Sequence, residues 1–205
     1  MKNYLILIIL LFSVKSIAQN ASKETFQKNK YELAISYLKK SDYIKALDLF
    51  SIASKIKPES QIGQESLREV DTLKEILRKD ILEKINGTWL ITGNKPIWTV
   101  TAKEDFKKQK VDKLVEVAQD KILFYERDRK SKVKTLIKTE DILYFNDDRS
   151  DSLYSAIILS DGRIWDCLLN EDSKVMRAIN IAKYEKKGVQ KITESNSEVY
   201  FIRTM

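Results

Sequence analysis

Apolar positions between residues 23 and 85 recur every three or four residues, which is the period of an amphipathic α-helix. The pattern predicts three helices, from about Lys23 to Lys40, from about Tyr43 to Ile56, and from about Glu59 to Ile85. A turn at Ser41-Asp42 separates the first two, and Pro58 ends the second because proline cannot continue a helix. The sequence therefore predicts a helical hairpin followed by a long third helix.

After Asn86-Gly87 the pattern changes to short apolar runs with a period of two, separated by turn residues. The candidate strands are Thr88–Thr92, Ile97–Ala102, Lys113–Ala118, Lys121–Glu126, Lys132–Lys138, Asp141–Phe145, Leu153–Leu159, Arg163–Leu169, Val175–Tyr184 and Glu198–Arg203. Asp161-Gly162 is the strongest hairpin turn, since this dipeptide tolerates positive φ angles. Short links predict antiparallel strands, and eight to ten of them should curl into a barrel or split into a sandwich.

The expected fold class is α+β, with an antiparallel β-barrel of about eight to ten strands after the helices. The expected divisions are a leader at 1–18, a helical unit at 19–85, and the barrel at 86–205. The third helix is expected to cover the open face of the hairpin, because it carries an apolar stripe of its own.

The first 18 residues have the layout of a secretory signal peptide. Lys2 provides a positive start, Tyr4 to Val14 an apolar run, and Ser16-Ile17-Ala18 a small-x-small cleavage site. The apolar run is short for a membrane span, although an uncleaved anchor is the alternative. The expected location is periplasmic or secreted, peripheral to the cell envelope at most.

The residue composition argues against most catalytic chemistry. The chain contains no histidine and one cysteine, Cys167, so no Ser-His, Cys-His or histidine-metal site and no internal disulfide can form. We therefore expect no catalytic residues, no metal and no cofactor, and a protein that is not an enzyme. A hydrolase using carboxylates is the alternative, with Glu116, Glu126 and Asp166 as its candidates.

The charge of the chain suggests no nucleic-acid partner. The 37 basic and 30 acidic residues give a formal net charge of +7, and the lysines are scattered rather than gathered with aromatic residues. The densest acidic cluster, 146–151, lacks the glycine and the closing glutamate of a calcium loop, so it is expected to be a solvated connection.

The hairpin resembles one tetratricopeptide (TPR) repeat, over residues 25–58. The matching positions are Ala34, Tyr37, Tyr43, Ala46, Phe50, Ala53 and Pro58, with Leu33 and Leu47 at the supporting apolar positions. Lys30 stands where the family has an early tryptophan, and no second copy of the repeat occurs. The resemblance implies a protein or peptide partner.

In this family, the inner face of the first helix binds peptides, and some members use Lys and Asn there to clamp a terminal carboxylate. The corresponding candidates here are Lys28, Ile35, Leu38 and Lys39. Glu32 and Ile35 disfavour a carboxylate clamp, so apolar contact through Ile35 and Leu38 is expected instead.

Asn86-Gly87-Thr88-Trp89 resembles the Gly-x-Trp opening of lipocalin-like barrels, although the family's Thr-Asp-Tyr motif is missing. The resemblance implies that Trp89 closes one barrel end and that Arg203, late in the chain, lies across its ring. Gly87, Trp89 and Arg203 are therefore structural candidates. A pleckstrin-like or other open antiparallel barrel is the alternative.

These observations together favour an exported, non-enzymatic binding protein. The helical unit would contact a protein, and the barrel would hold a small apolar ligand against Trp98, Trp165 and Tyr154. The alternatives are an interior packed solid by the same aromatic side chains, and a structural subunit of an envelope assembly.

Overall fold

The structure is a computed structural model that describes residues 2–96, 98–146, 151–186, 188–192 and 196–204. In these residues the helices are α1 (Lys2–Lys39), α2 (Tyr43–Ile56), α3 (Gln61–Ile85) and α4 (Val100–Lys108). The strands are β1 (Gly87–Gly93), β2 (Val111–Ala118), β3 (Lys121–Asp128), β4 (Lys134–Asp141), β5 (Leu143–Tyr144), β6 (Ile157–Ile158), β7 (Arg163–Leu169), β8 (Val175–Glu185), β9 (Gly188–Lys191) and β10 (Glu198–Arg203). The predicted α+β class, with helices first and a large antiparallel sheet after them, is confirmed.

The chain divides into two compact units. The helical unit contains residues 1–77 together with 148–152, and the sheet unit contains 78–147 and 153–205. The division falls inside α3, between Leu77 and Arg78, so the last two turns of that helix belong to the sheet unit.

In the helical unit, α1 and α2 pack closely because small residues face large ones. Ala34, Ala46 and Ala53 are completely buried, as is Phe50, whose ring meets that of Tyr31 edge-on at 5.6 Å. Helix α3 joins this packing through a hydrogen bond that the Tyr31 hydroxyl donates to a carboxylate oxygen of Glu65.

Helix α1 begins at Lys2 rather than near Lys23, because the apolar run that precedes residue 19 is itself helical. Among the described helices, none combines the length and the apolar composition that a membrane crossing needs. The expected leader at 1–18 and the expected location stay predictions.

In the sheet unit, the described strands form one antiparallel sheet in the order β4-β3-β2-β1-β10-β8-β7-β6-β5, with β9 paired to β8. The predicted closed barrel is wrong, because β4 and β5 stand at opposite ends of this order and share no ladder. Only Ile142 separates them in the chain, so the two ends of the sheet approach each other there. A side-chain contact crosses the opening, where the backbone N–H of Ser160 donates to Glu140 at 2.8 Å.

Some predicted strands have other structures. Of the predicted strand Ile97–Ala102, residue 97 lies outside the described residues, and residues 98–102 lead into and begin α4. Thr99 lies directly before the first helical residue, and its hydroxyl donates to the Pro96 carbonyl. The predicted strand Leu153–Leu159 is reduced to β6, after a short 3-10 turn at Asp151–Leu153. Strand β9 was not predicted.

Candidate functional site

The sheet unit is built on one apolar face of its sheet, which we call the core face. Along β2 and β3, Val115, Val117, Ile122 and Phe124 point to this face, because side chains alternate and these residues pair across the two strands. The buried cluster on it comprises Trp89, Val115, Val117, Ile122, Ile157, Leu159, Trp165, Cys167, Met176, Ala178 and Phe201. Ile81 and Ile85 of α3 lie against the same face.

One end of the core face is closed by Trp89 and Arg203. The Arg203 guanidinium lies 4.4 Å from the centre of the Trp89 ring and donates to the carbonyls of Lys84 and Asn86 at the end of α3. The Trp89 indole N–H donates to the Ile85 carbonyl at 2.6 Å. Together these two side chains satisfy three carbonyl groups that the helix end leaves unpaired.

Beside this closed end lies a small inner cavity, which contains only about 30 Å³ of free volume. Its lining includes Val115, Trp165, Cys167 and Phe201. Burial raises the pKa of the Cys167 thiol to about 12, so the thiol stays protonated and packs as an apolar group. A single water molecule takes up about 30 Å³ in the liquid, so the inner cavity is too small for an organic ligand.

A larger outer cavity of about 230 Å³ lies where the sheet fails to close. Its lining residues are Ile91, Lys113, Leu114, Phe124, Tyr125, Glu126, Ile137, Lys138, Glu140, Leu159 and Arg163. Phe124, which lines the outer cavity, meets the ring of Trp165, which lines the inner one, edge-on at 6.4 Å. The outer cavity has an apolar floor and a charged rim, and it is the candidate site.

Glu140 is the most buried charged residue of the outer cavity, with 3% of its surface exposed. Burial opposes its ionisation, but the ion pair with Lys138 and hydrogen bonds from the Ser160 N–H and hydroxyl outweigh it and lower the pKa of Glu140. The carboxylate is thus ionised at neutral pH and joins β4 to the turn after β6. Glu140 has the properties of a structural anion rather than of a general acid.

The other charges of the rim differ in how they are paired. Arg163 forms an ion pair with Asp161 at 2.7 Å and lies over the Trp165 ring at 5.4 Å. Lys113 and Glu126 are cross-strand neighbours, yet within the described residues neither side chain has an ion-pair partner within 4 Å. A bound anion could therefore pair with Lys113 without breaking an existing ion pair, unlike with Arg163 or Lys138.

A β-bulge gives the outer cavity part of its shape. Phe124 pairs with Lys138 and Tyr125 with Leu136, so Ile137 is the extra residue of β4. The bulge turns Ile137 toward the outer cavity, although 58% of its surface remains exposed. Bulges commonly redirect a side chain in this way beside binding sites.

The three carboxylates nominated for hydrolysis do not meet. Glu126 faces the outer cavity, whereas Glu116 and Asp166 alternate with core residues and lie on the opposite face. Glu116 and Asp166 are four strand spacings apart in the sheet order, about 19 Å. Burial raises the pKa of Asp166, with the Ser155 hydroxyl partly opposing it, but no second candidate acid is beside it.

Within the outer cavity, Glu126 and Glu140 are also far apart. Glu140 pairs with Ile122, which lies four residues from Glu126 along β3, or about 13 Å. Glycosidases hold their two carboxyl groups about 5 to 9.5 Å apart.

The structure does not bring the three ligand candidates of the sheet together. Trp165 lies on the core face, whereas Trp98 is 59% exposed and its ring meets Tyr200, which alternates with the core residue Phe201. Tyr154 is half-buried, and its carbonyl accepts a hydrogen bond from Arg78. Trp165 lines the inner cavity, and neither Trp98 nor Tyr154 lines the inner or the outer cavity.

The candidates of the helical unit lie on α1. Lys28 and Lys39 are exposed, and Ile35 and Leu38 are half-buried. Lys28 pairs loosely with Glu32 at 3.8 Å and borders a wide polar depression at the start of α3. Their role in protein contact stays a prediction.

Apart from Glu126, which was nominated as a hydrolase carboxylate, the residues of the outer cavity were not identified from the sequence. They come from β1, β2, β3, β4, β7 and the turn before β7, and only the register brings them together. The one usable signal was the alternation in β3, where apolar Ile122 and Phe124 lead to the charged Glu126 on the same face.

Comparison with protein-family models, with curated proteins and with solved structures found no significant match to this chain. The function proposed below therefore rests on the residues of the chain alone.

Proposed function

We propose that this protein is an exported, non-enzymatic binding protein whose sheet unit holds a small amphipathic ligand in the outer cavity. The observation that carries the proposal is a volume of about 230 Å³ with an apolar floor and a charged rim at the open side of the sheet. A ligand with an apolar body and a polar end would fill the floor and leave its polar end among the rim charges.

The contrast between the two ends of the sheet supports this choice of site. One end is sealed by Trp89 and Arg203 and has almost no free volume, so a ligand would enter from the other. Closure of one end by a Trp–Arg pair is also what the resemblance to lipocalin-like barrels implies. We infer that the sheet unit is an open variant of such a barrel.

The helical unit is proposed to make protein contacts, as its resemblance to a TPR repeat implies. The buried alanines and Phe50 give it the close packing of that repeat, and Lys28, Ile35, Leu38 and Lys39 are the proposed contact residues. Crosslinking in intact cells tests this part, because a TPR-like interface should yield crosslinks from positions 28 and 39.

The ligand proposal is tested with the amphipathic dye 1-anilinonaphthalene-8-sulfonate (ANS), titrated into the purified protein and followed by fluorescence. Ile137→Glu places a charge at the apolar floor and is expected to weaken ANS binding about fivefold or more, since about 1 kcal/mol of apolar contact is lost.

Leu136→Glu is the matched control, because Leu136 is the neighbouring residue, is 50% exposed, and does not line the outer cavity. It should leave ANS binding nearly unchanged. Equal effects of the two substitutions, or no saturable binding by the unmodified protein, would contradict the proposal.

A further inference from the structure

Strand β4 has a free edge beside the outer cavity. It is the terminal strand of the sheet order, and within the described residues β3 is its only paired neighbour. The N–H of Ile142 donates to the Asp120 carbonyl, and the Val133 carbonyl accepts from the Asp128 N–H, so these backbone groups face β3. Alternate residues between them direct their N–H and C=O groups away from β3. A terminal strand with unpaired N–H and C=O groups is a template for an added strand.

The edge and the residue before it also carry exposed apolar side chains. Val133, Leu136 and Ile137 are each at least half exposed, and Ile137 lines the cavity. A strand added along β4 would therefore send alternate side chains over the floor formed by Phe124 and Leu159. Backbone pairing combined with a pocket for alternate side chains is a known mode of peptide recognition.

Charge selects among the strands that could bind there. Lys130 and Lys132 are exposed in the turn before β4, and Lys113 at the rim lacks an ion-pair partner within the described residues. Lys134 is already paired with Glu116 at 2.8 Å. Lysines on an edge strand oppose pairing with a second copy of the same basic edge. They attract a strand of opposite charge.

We propose that the edge of β4 and the outer cavity bind an extended acidic peptide segment as an added antiparallel strand, the orientation of every described ladder in this sheet. This deepens the function proposed above and rests on it, since it names the ligand class of the same cavity. The backbone of the segment supplies the ladder, its apolar side chains cover Phe124 and Ile137, and its carboxylates pair with Lys113, Lys130 and Lys132.

The test uses a capped seven-residue peptide that alternates valine and glutamate, labelled with fluorescein and titrated with the full protein by fluorescence anisotropy. Binding is expected, whereas the same peptide with lysine in place of glutamate should bind at least tenfold more weakly.

Two further peptides carry N-methyl groups on alternate residues, one on the odd and one on the even positions. Only one of these two sets should abolish binding, because only one edge of an added strand faces β4.

Lys113→Glu should weaken binding of the acidic peptide about tenfold. Lys186→Glu is the matched control, because Lys186 is an exposed lysine in the turn between β8 and β9 and does not line the outer cavity. It should leave the affinity for the acidic peptide within about twofold of that of the unmodified protein.

Hydrogen exchange in a fragment containing β4 should slow when the acidic peptide is bound.

Equal binding of the acidic and basic peptides, or equal binding of both N-methylated peptides, would overturn the inference. If ANS binds in a manner that depends on Ile137 but no peptide binds, this inference fails while the small-ligand proposal stands. If neither ANS nor the peptide binds, both fail.

Discussion

At the scale of single residues, Asp151 shows how a residue in an acidic cluster can be structural. It is 9% exposed, accepts a hydrogen bond from Ser51 at 2.6 Å, and pairs with Lys74 and with Lys55 at 2.9 Å, all within the helical unit. The expectation of a solvated loop is wrong at this position, and residues 147–150 of that cluster lie outside the described residues. The sequence could not reveal that Asp151 is buried and paired, because its partners lie about 80 to 100 residues away in the chain.

Burial opposes the ionisation of Asp151, but Lys74, Ser51 and Lys55 outweigh it and lower its pKa to about 2. The folded protein thus binds the proton less readily than the unfolded chain, whose pKa is about 3.8. The stabilisation, about 2 kcal/mol, is present above pH 4 and is lost as pH falls from about 4 to about 2. Asp151→Asn should lower the free energy of unfolding in urea by about 3 kcal/mol at pH 7 and by much less near pH 2.5.

Asp141→Asn is the control for that measurement. Asp141 forms an exposed ion pair with Lys121 at 3.0 Å, and such pairs contribute about 1 kcal/mol or less. If Asp141→Asn lowers the free energy of unfolding as much as Asp151→Asn does, the buried pairing is not the cause of the loss. The same conclusion follows if Asp151→Asn lowers it equally at pH 7 and at pH 2.5.

Gly63 brings the start of α3 close to the backbone that follows α2. A Cβ atom at this position would lie 2.2 Å from the Lys57 carbonyl oxygen, just after α2 ends. Replacing glycine by alanine inside a helix normally stabilises it by about 0.5 to 1 kcal/mol. Here Gly63→Ala should instead lower the melting temperature, with a cost of about 2 kcal/mol, because the backbone must move apart.

The neighbouring exposed residue gives the comparison for Gly63. Gln64→Ala changes a side chain on the same helical turn without entering this contact and should leave the melting temperature nearly unchanged. An unchanged or raised melting temperature for Gly63→Ala would refute the close approach.

At the scale of elements, the end of α3 depends on a residue from the last strand. Arg203→Lys removes the planar group that covers Trp89 and reaches the carbonyls of Lys84, Asn86 and Ser173. A lysine can make one such contact but not all of them, so the sheet unit should lose about 2 kcal/mol of stability. Urea unfolding followed by tryptophan fluorescence measures the loss.

Arg163→Lys is the matched control, since Arg163 also lies over a tryptophan but is 42% exposed and paired only with Asp161 beside it. It should cost less than about 1 kcal/mol. Equal losses for the two variants would mean that the carbonyl contacts of Arg203 contribute nothing.

Element positions followed from the sequence where the pattern was strong and local. Helix α2 and strands β7 and β10 have the predicted bounds, because their periodicity lies within each segment. The interpretation of 97–102 as a strand was wrong because its β-branched residues suggested one, while Thr99 and the amphipathic run after it specify the start of a helix. The bulge at Ile137 had no local signal, since it appears only when β4 is paired with β3.

At the scale of the whole molecule, the large antiparallel sheet was predictable from the sequence and its failure to close was not. Ten candidate strands with short links indicate a large antiparallel sheet, but whether its ends form a ladder depends on register and curvature. The outer cavity lies at the opening between those ends. The position of the candidate site therefore depends on whether the sheet closes, which the sequence could not specify.

The pairing of β1 with β10 joins residues more than a hundred positions apart, Trp89 being opposite Arg203. When β1 through β8 have been synthesised, β1 and β8 cannot yet be joined in one sheet. The strand that lies between them, β10, has not been made. Completion of the sheet must wait until residue 203 is available. Until then the edges of β1 and β8 that flank β10 have no partner, and unpaired edges of this kind favour aggregation during synthesis.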